Sequence, residues 1–115
     1  MAATVLLVDD DAGFRGLAAR MVGVAGLTVV GEAANAEEAL AEARRLRPDA
    51  ALVDVRLPDR DGIDLGGEIA ALPWRPRVVL ISSDPEAARR DANGLAFVAK
   101  ADLPRTPLRQ LLTSG

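Results

Sequence analysis

Asp9, Asp10, Asp54, Ser82 and Lys100 are the residues whose types and spacing could do chemistry together. The chain has no histidine, cysteine or tyrosine. A Ser–His–Asp triad, a thiolate nucleophile and a zinc site of the usual ligands are therefore excluded, and a carboxylate is the covalent nucleophile that remains. Any metal must be held by oxygen, which points to Mg²⁺ or Ca²⁺. Two carboxylates about 5 Å apart repel by roughly 3 kcal/mol at an effective dielectric near 20. If Asp9, Asp10 and Asp54 share one crevice, either one takes up a proton or a cation sits among them. Mg²⁺ suits the crevice, because it takes one or two carboxylates, keeps several waters and accepts a phosphate oxygen. Three carboxylates, one Mg²⁺ and Lys100 sum to zero charge, a balance ready for a further anion. A metal with open positions, an ammonium and the Ser82 hydroxyl make a phosphoryl-transfer site, where positioning and charge neutralisation carry most of the catalysis. Asp54 is then the nucleophile, with Asp9 and Asp10 beside it to hold the metal.

The elements needed to gather these residues are legible. Short apolar runs at Thr4–Val8, Leu27–Ala33, Ala50–Val53, Val78–Ile81 and Leu95–Ala99 are mostly continuous rather than alternating, as in strands covered on both faces. Between them lie helical patterns. Phe14, Leu17, Ala18, Met21, Val22 and Ala25 form one stripe, with Arg15 and Arg20 off it. Ala36, Ala39, Leu40, Ala43 and Leu46 form a second, opened by Asn35 as N-cap with Glu38 three residues on and ended by Pro48-Asp49. Leu65, Ile69 and Leu72 mark a third, in which Gly66 and Gly67 each cost about 1 kcal/mol relative to alanine. A short fourth runs from Pro85 to Asn93, and Thr106-Pro107 opens a fifth with Leu108, Leu111 and Leu112.

Five strand–helix units predict an α/β fold with a parallel sheet between two layers of helices. If the strand order is 2-1-3-4-5, that of the (βα)5 flavodoxin-like three-layer sandwich, the order reverses between strands 1 and 3. Ligands bind such sheets at the carboxyl ends of the strands, beside the point where the order reverses. Four strands end there in usable side chains: Asp9-Asp10-Asp11, Asp54, Ser82-Ser83 and Lys100. The second ends in apolar Ala33-Ala34. An aspartate after a strand is more often a turn residue or helix cap than a ligand, and Asp11 reads as the cap of the first helix.

Composition sets the outer bounds. The 115 residues, half of them apolar, suffice for one domain, expected over residues 1–115 with no output domain. With 14 basic and 17 acidic residues, the chain lacks the basic balance of a nucleic-acid-coating protein. No run reaches the ~20 apolar residues of a membrane span. No basic residue precedes the first apolar run, so a targeting signal is not expected and the location read from this is cytoplasmic. The basic residues are 13 arginines and a single lysine, Lys100, as if one position required a compact ammonium.

The stretches VLLVDDD at 5–11, ALVDVRLPDRDG at 51–62, VVLISS at 78–83 and GLAFVAK at 94–100 carry a resemblance. Together, with 44 residues from Asp10 to Asp54, they resemble the receiver domain of two-component response regulators over nearly the whole chain. The resemblance implies that Asp54 accepts a phosphoryl group from the phosphohistidine of a sensor histidine kinase or phosphotransfer protein. Asp9, Asp10, Asp54 and the backbone carbonyl of Arg56 would hold Mg²⁺. Ser82 would bond the phosphoryl oxygen, Lys100 would pair with it, and Phe97 would turn inward as Ser82 moves. That movement would remodel a surface of the fourth helix, fifth strand and fifth helix for a downstream protein or fused output domain. Neither direct nucleic-acid binding by this chain nor a membrane is implied.

Three features depart from the family pattern. Ala101 follows the lysine where proline is common, and a trans bond is expected there. The 18 residues from Ser82 to Lys100 are several fewer than usual, which curtails the fourth helix. Arg56 and Asp84 flank the site with opposite charges and are expected to pair across its mouth and slow the entry of water. Two other readings stay open: a small Mg²⁺-dependent phosphatase with Asp9 as nucleophile, and a phosphate-independent interaction module of the same shape.

Overall fold

The computed structural model describes residues 3–84, 86 and 94–113. The apolar runs form five strands, β1 (Thr4–Val8), β2 (Thr28–Ala33), β3 (Ala50–Asp54), β4 (Arg77–Ser82) and β5 (Ala96–Ala99). They pair in parallel in the order β2-β1-β3-β4-β5. The helices are α1 (Ala12–Val24), α2 (Ala36–Leu46), α3 (Gly62–Ala70) and α4 (Leu108–Thr113). The expected helix from Pro85 to Asn93 lies, apart from residue 86, outside the described residues. On one face α2 and α3 bury Ala39, Ala43, Leu65 and Ile69 against Leu6, Val8, Val53 and Leu80. On the other, α1 and α4 bury Ala18, Val22, Leu108 and Leu112 against Val5, Leu7, Leu52 and Ile81. Both faces are covered, so the chain has the flavodoxin-like three-layer architecture, and its central strands read as unbroken apolar runs for that reason.

Local signals place the helix ends. The Asp11 side chain accepts from the Phe14 amide (3.1 Å), and that of Asn35 accepts from the Glu38 amide (2.8 Å) while Glu38 accepts from the Ala34 amide (3.2 Å). A cap on α2 comes from far along the chain: the Asp59 carboxylate accepts from the Ala36 and Glu37 amides at 2.8 and 3.0 Å. These amides hold the Asp59 carboxyl below its ordinary range. A depressed folded-state pKa gives stability that is present above the unfolded value and lost as pH falls through the folded one. In denaturation at stepped pH, the stability advantage of the wild type over Asp59→Asn should shrink from about pH 5 downward. An advantage that does not change with pH would show that this carboxylate is not tied to folding.

Four sequence expectations change. Leu17 is 43% exposed, because the buried face of α1 centres on Ala18 and Val22. Gly66 is closely packed, since a Cβ there would lie 2.9 Å from Leu80 Cδ2 and 3.0 Å from Leu95 Cδ1, so those side chains would have to shift; at Gly67 nothing lies within 4 Å. Residues Lys100–Arg105, which lie between the last apolar run and the helix opened by Thr106-Pro107 and carry no helical stripe, form a 3₁₀ helix with Pro104 inside it. Arg15, off the apolar stripe, is half-buried and turns toward the end of β1. Among the described residues no peptide bond is cis, so the Lys100–Ala101 bond is trans as expected, and no helix is long and apolar enough to cross a membrane.

At the amino-terminal edge of the sheet, the Trp74 indole N–H donates to the Pro48 carbonyl (2.8 Å), and the Arg47 guanidinium lies 4.3 Å from the ring centroid. A cleft of 830 Å³ is at this edge too, between Asp49, Arg75, Arg77, Leu95 and Thr113.

Candidate functional site

Strand register brings the chemistry-bearing residues to one level. Val8 pairs with Val53, so Asp9 and Asp54 are the next residues of adjacent strands. Asp54 pairs with Ile81, and Ser82 pairs with Ala99, which immediately precedes Lys100. Parallel strands of matched register thus deliver residues from four distant points of the chain to one crevice. Asp9, Asp54 and Ser82 are buried there, at 2%, 6% and 1% exposure, whereas Asp10 is exposed.

Each carboxylate is oriented by the backbone that follows it. Asp9 Oδ1 accepts from the Asp11 amide (2.9 Å), and Asp54 Oδ1 accepts from the Arg56 amide (3.0 Å). Their other oxygens face one cation: Lys100 Nζ is 2.7 Å from Asp9 Oδ2 and 3.1 Å from Asp54 Oδ2. The contact with Asp9 Oδ2 is one of charge, because among the described residues no hydrogen bond of good geometry reaches that buried oxygen. Lys100 also sits 4.3 Å from the centroid of the Phe14 ring. Burial pushes the Asp54 carboxyl above its usual range, with the Asp9 charge adding to the rise and the Arg56 amide and Lys100 pulling it back. For Lys100 burial opposes the charge, but Asp9 and Asp54 outweigh it and raise its pKa.

Asp9, Asp10 and Asp54 each offer an oxygen within 4.8 Å of the others. This all-oxygen donor set, with a buried carboxylate oxygen short of hydrogen-bond donors, fits a hard divalent cation such as Mg²⁺. The Ser82 hydroxyl oxygen accepts from the Asp84 amide (3.0 Å). Phe97 pairs in register with Leu80, two residues before Ser82, and packs half-buried on the α3 side of the sheet. Across the mouth, Arg56 Nη2 meets Asp84 Oδ2 at 2.6 Å, the pairing expected from their charges.

Sequence reasoning missed a brace at the end of β1. The Arg15 guanidinium donates to the Asp9 backbone carbonyl, and its Nε is 2.9 Å from Glu32 Oε1 on β2. The available signal was a glutamate inside an apolar edge strand. It also missed the part of Phe14, which reads from the sequence only as a core position.

A family model described as the response regulator receiver domain matches residues 5–101. The transcriptional regulatory protein PdtaR of Mycobacterium tuberculosis is 38% identical over 99 residues, covering 84% of this chain and 48% of that protein. The chain thus spans about half the length of that curated relative. The chemotaxis protein CheY of Thermotoga maritima is 34% identical over 83 residues, 72% of this chain and 69% of that one. Among solved structures, a two-component response regulator of the LuxR family from Aurantimonas superposes with a TM-score of 0.83 at 28% identity, covering 94% of this chain and 81% of the other.

Proposed function

The chain belongs to the family of response regulator receiver domains, and from that premise we propose that it is a Mg²⁺-dependent phosphoacceptor and switch with Asp54 as the phosphorylated residue. The observation that carries this reading is the convergence of buried Asp9 and Asp54 on one ammonium, with an oxygen of Asp10 within 4.8 Å of theirs. A sensor histidine kinase or phosphotransfer protein presents a phosphohistidine. An Asp54 carboxylate oxygen attacks phosphorus, the O–P bond forms, the N–P bond breaks, and the imidazole leaves with the bonding pair. Asp9, Asp10, Asp54 and the Arg56 backbone carbonyl would hold Mg²⁺, which when bound neutralises charge on the phosphoryl oxygens. The only reaction catalysed is the domain's own phosphorylation and dephosphorylation.

The product carries a charge of about −1.5 to −2 in place of a single negative charge. Lys100 pairs with the new oxygens, and the Ser82 hydroxyl turns from the Asp84 amide to donate to one of them. Withdrawal of Ser82 opens space on the face it shares with Phe97, and the ring moves inward. The shift in population is bounded by the difference in these contacts between the two states. The Arg56–Asp84 pair covers the mouth and slows hydrolysis. The downstream receiver of the signal is a separate protein or a fused output domain.

Intact mass after incubation with Mg²⁺ and acetyl phosphate tests the chemistry, with beryllofluoride binding as a measure that does not depend on the donor. One phosphoryl group is expected on the wild type and none on Asp54→Asn. Label lost only in Asp9→Asn would establish the phosphatase reading instead. A wild type that binds neither Mg²⁺ nor beryllofluoride would be a phosphate-independent interaction module.

A further inference from the structure

We infer that Phe14 is a positioning residue for Lys100, holding its ammonium in the crevice through the face of the aromatic ring. The inference rests on the receiver reading for what the lysine meets when the site is loaded. Lys100 Nζ is 4.3 Å from the ring centroid, inside the range of attraction between a cation and an aromatic quadrupole. The side chain is 15% exposed, so water does little to screen that attraction. Two carboxylate oxygens and one ring face stand around the ammonium.

The ring is itself fixed. Phe14 lies in the first turn of α1, where its amide is capped by Asp11, and its side chain packs half-buried against the cluster of Val5, Leu7 and Ile81. Lys100, in contrast, is a long flexible side chain at the start of the 3₁₀ helix. Ordering such a chain carries a large entropy cost, which a preformed ring face reduces before any phosphoryl group arrives. An attraction spread over a ring face also lets the ammonium pivot from a carboxylate oxygen to a phosphoryl oxygen without leaving the crevice. An aliphatic residue could fill the same space but would offer the charge nothing.

Phe14→Leu keeps apolar packing and removes the ring, whereas Phe14→Tyr keeps the ring. Titration calorimetry with beryllofluoride in saturating Mg²⁺ should show affinity about fivefold lower in Phe14→Leu and within about twofold of wild type in Phe14→Tyr. The single lysine also gives one ¹³Cε signal in selectively labelled, metal-free protein. Its relaxation should report a more mobile side chain in Phe14→Leu and an unchanged one in Phe14→Tyr. Leucine binding as tightly as phenylalanine, or tyrosine weakening binding as much as leucine, would reduce Phe14 to packing and overturn the inference. If the wild type binds no beryllofluoride, the receiver reading fails, and lysine mobility alone decides whether the ring positions the ammonium.

Discussion

Lys100→Met leaves the metal-free protein about 3–5 kcal/mol less stable, the range for stripping one partner from a buried charge cluster. The lysine is the one cation in ion-pair contact with the two buried carboxylates among the described residues. Methionine keeps an unbranched apolar chain one atom shorter than that of lysine, so most of the loss reports the charge and not the packing. Without the ammonium, Asp9 and Asp54 face each other uncompensated, and protonation becomes their escape. The folded-state pKa of Asp54, already raised by burial, rises further. An acid with a raised folded-state pKa loses stability as pH increases, so the deficit of the variant should grow as pH rises above the ordinary carboxylate range, about pH 4. A divalent ion on the same carboxylates replaces the missing charge, and by linkage Mg²⁺ should stabilise Lys100→Met more than the wild type. Urea denaturation with and without Mg²⁺ measures both effects. A deficit below about 1 kcal/mol, the range of exposed pairs, would mean that water screens the crevice.

Gly62→Ala should cost about 3 kcal/mol, at the upper end of overpacking penalties. The loop after β3 closes on itself: Arg56 bridges to Asp61, and the Gly62 amide donates to the Val55 carbonyl at 2.9 Å. This lays the start of α3 directly on the phosphoacceptor strand. A Cβ at Gly62 would fall 2.6 Å from Val55 Cα and 2.7 Å from the Asp54 carbonyl carbon, both backbone atoms with no rotamer to yield. The strand end must move, and Asp54 moves with it. Gly67→Ala in the same helix is the control: it meets nothing within 4 Å and should gain up to about 1 kcal/mol from helix propensity. Equal midpoints for the two variants in urea would show that the contact at Gly62 is soft.

Residues that act through their own strand or helix were legible in the sequence. β1, β3 and β4 announce themselves because burial on both faces demands unbroken apolar runs, and parallel register then dictates that Asp9, Asp54, Ser82 and Lys100 converge. Asp11 and Asn35 were readable because a cap acts within three residues. What stayed hidden depends on contacts between remote segments. Asp59 caps a helix 22 and 23 residues earlier, and Arg15 braces a strand end against Glu32 across the sheet edge. The 3₁₀ helix after Lys100 was obscured by Pro104, which reads as a breaker but is accommodated within this short helix. Gly66 misled for a related reason, since its helix cost is local and its close approach to Leu80 and Leu95 is tertiary.

Trp74 is the only tryptophan, and it is pinned to the Pro48 carbonyl before β3 begins, whereas Asp54 ends that strand. At roughly 3.3 Å per residue, the length of the strand separates the indole from the site. Intrinsic emission from this protein is therefore a gauge of whether the polypeptide is folded, largely insensitive to what fills the crevice. Unfolding curves can be followed optically without confusion from ligand quenching, and occupancy needs a dye, a nucleus or a calorimeter.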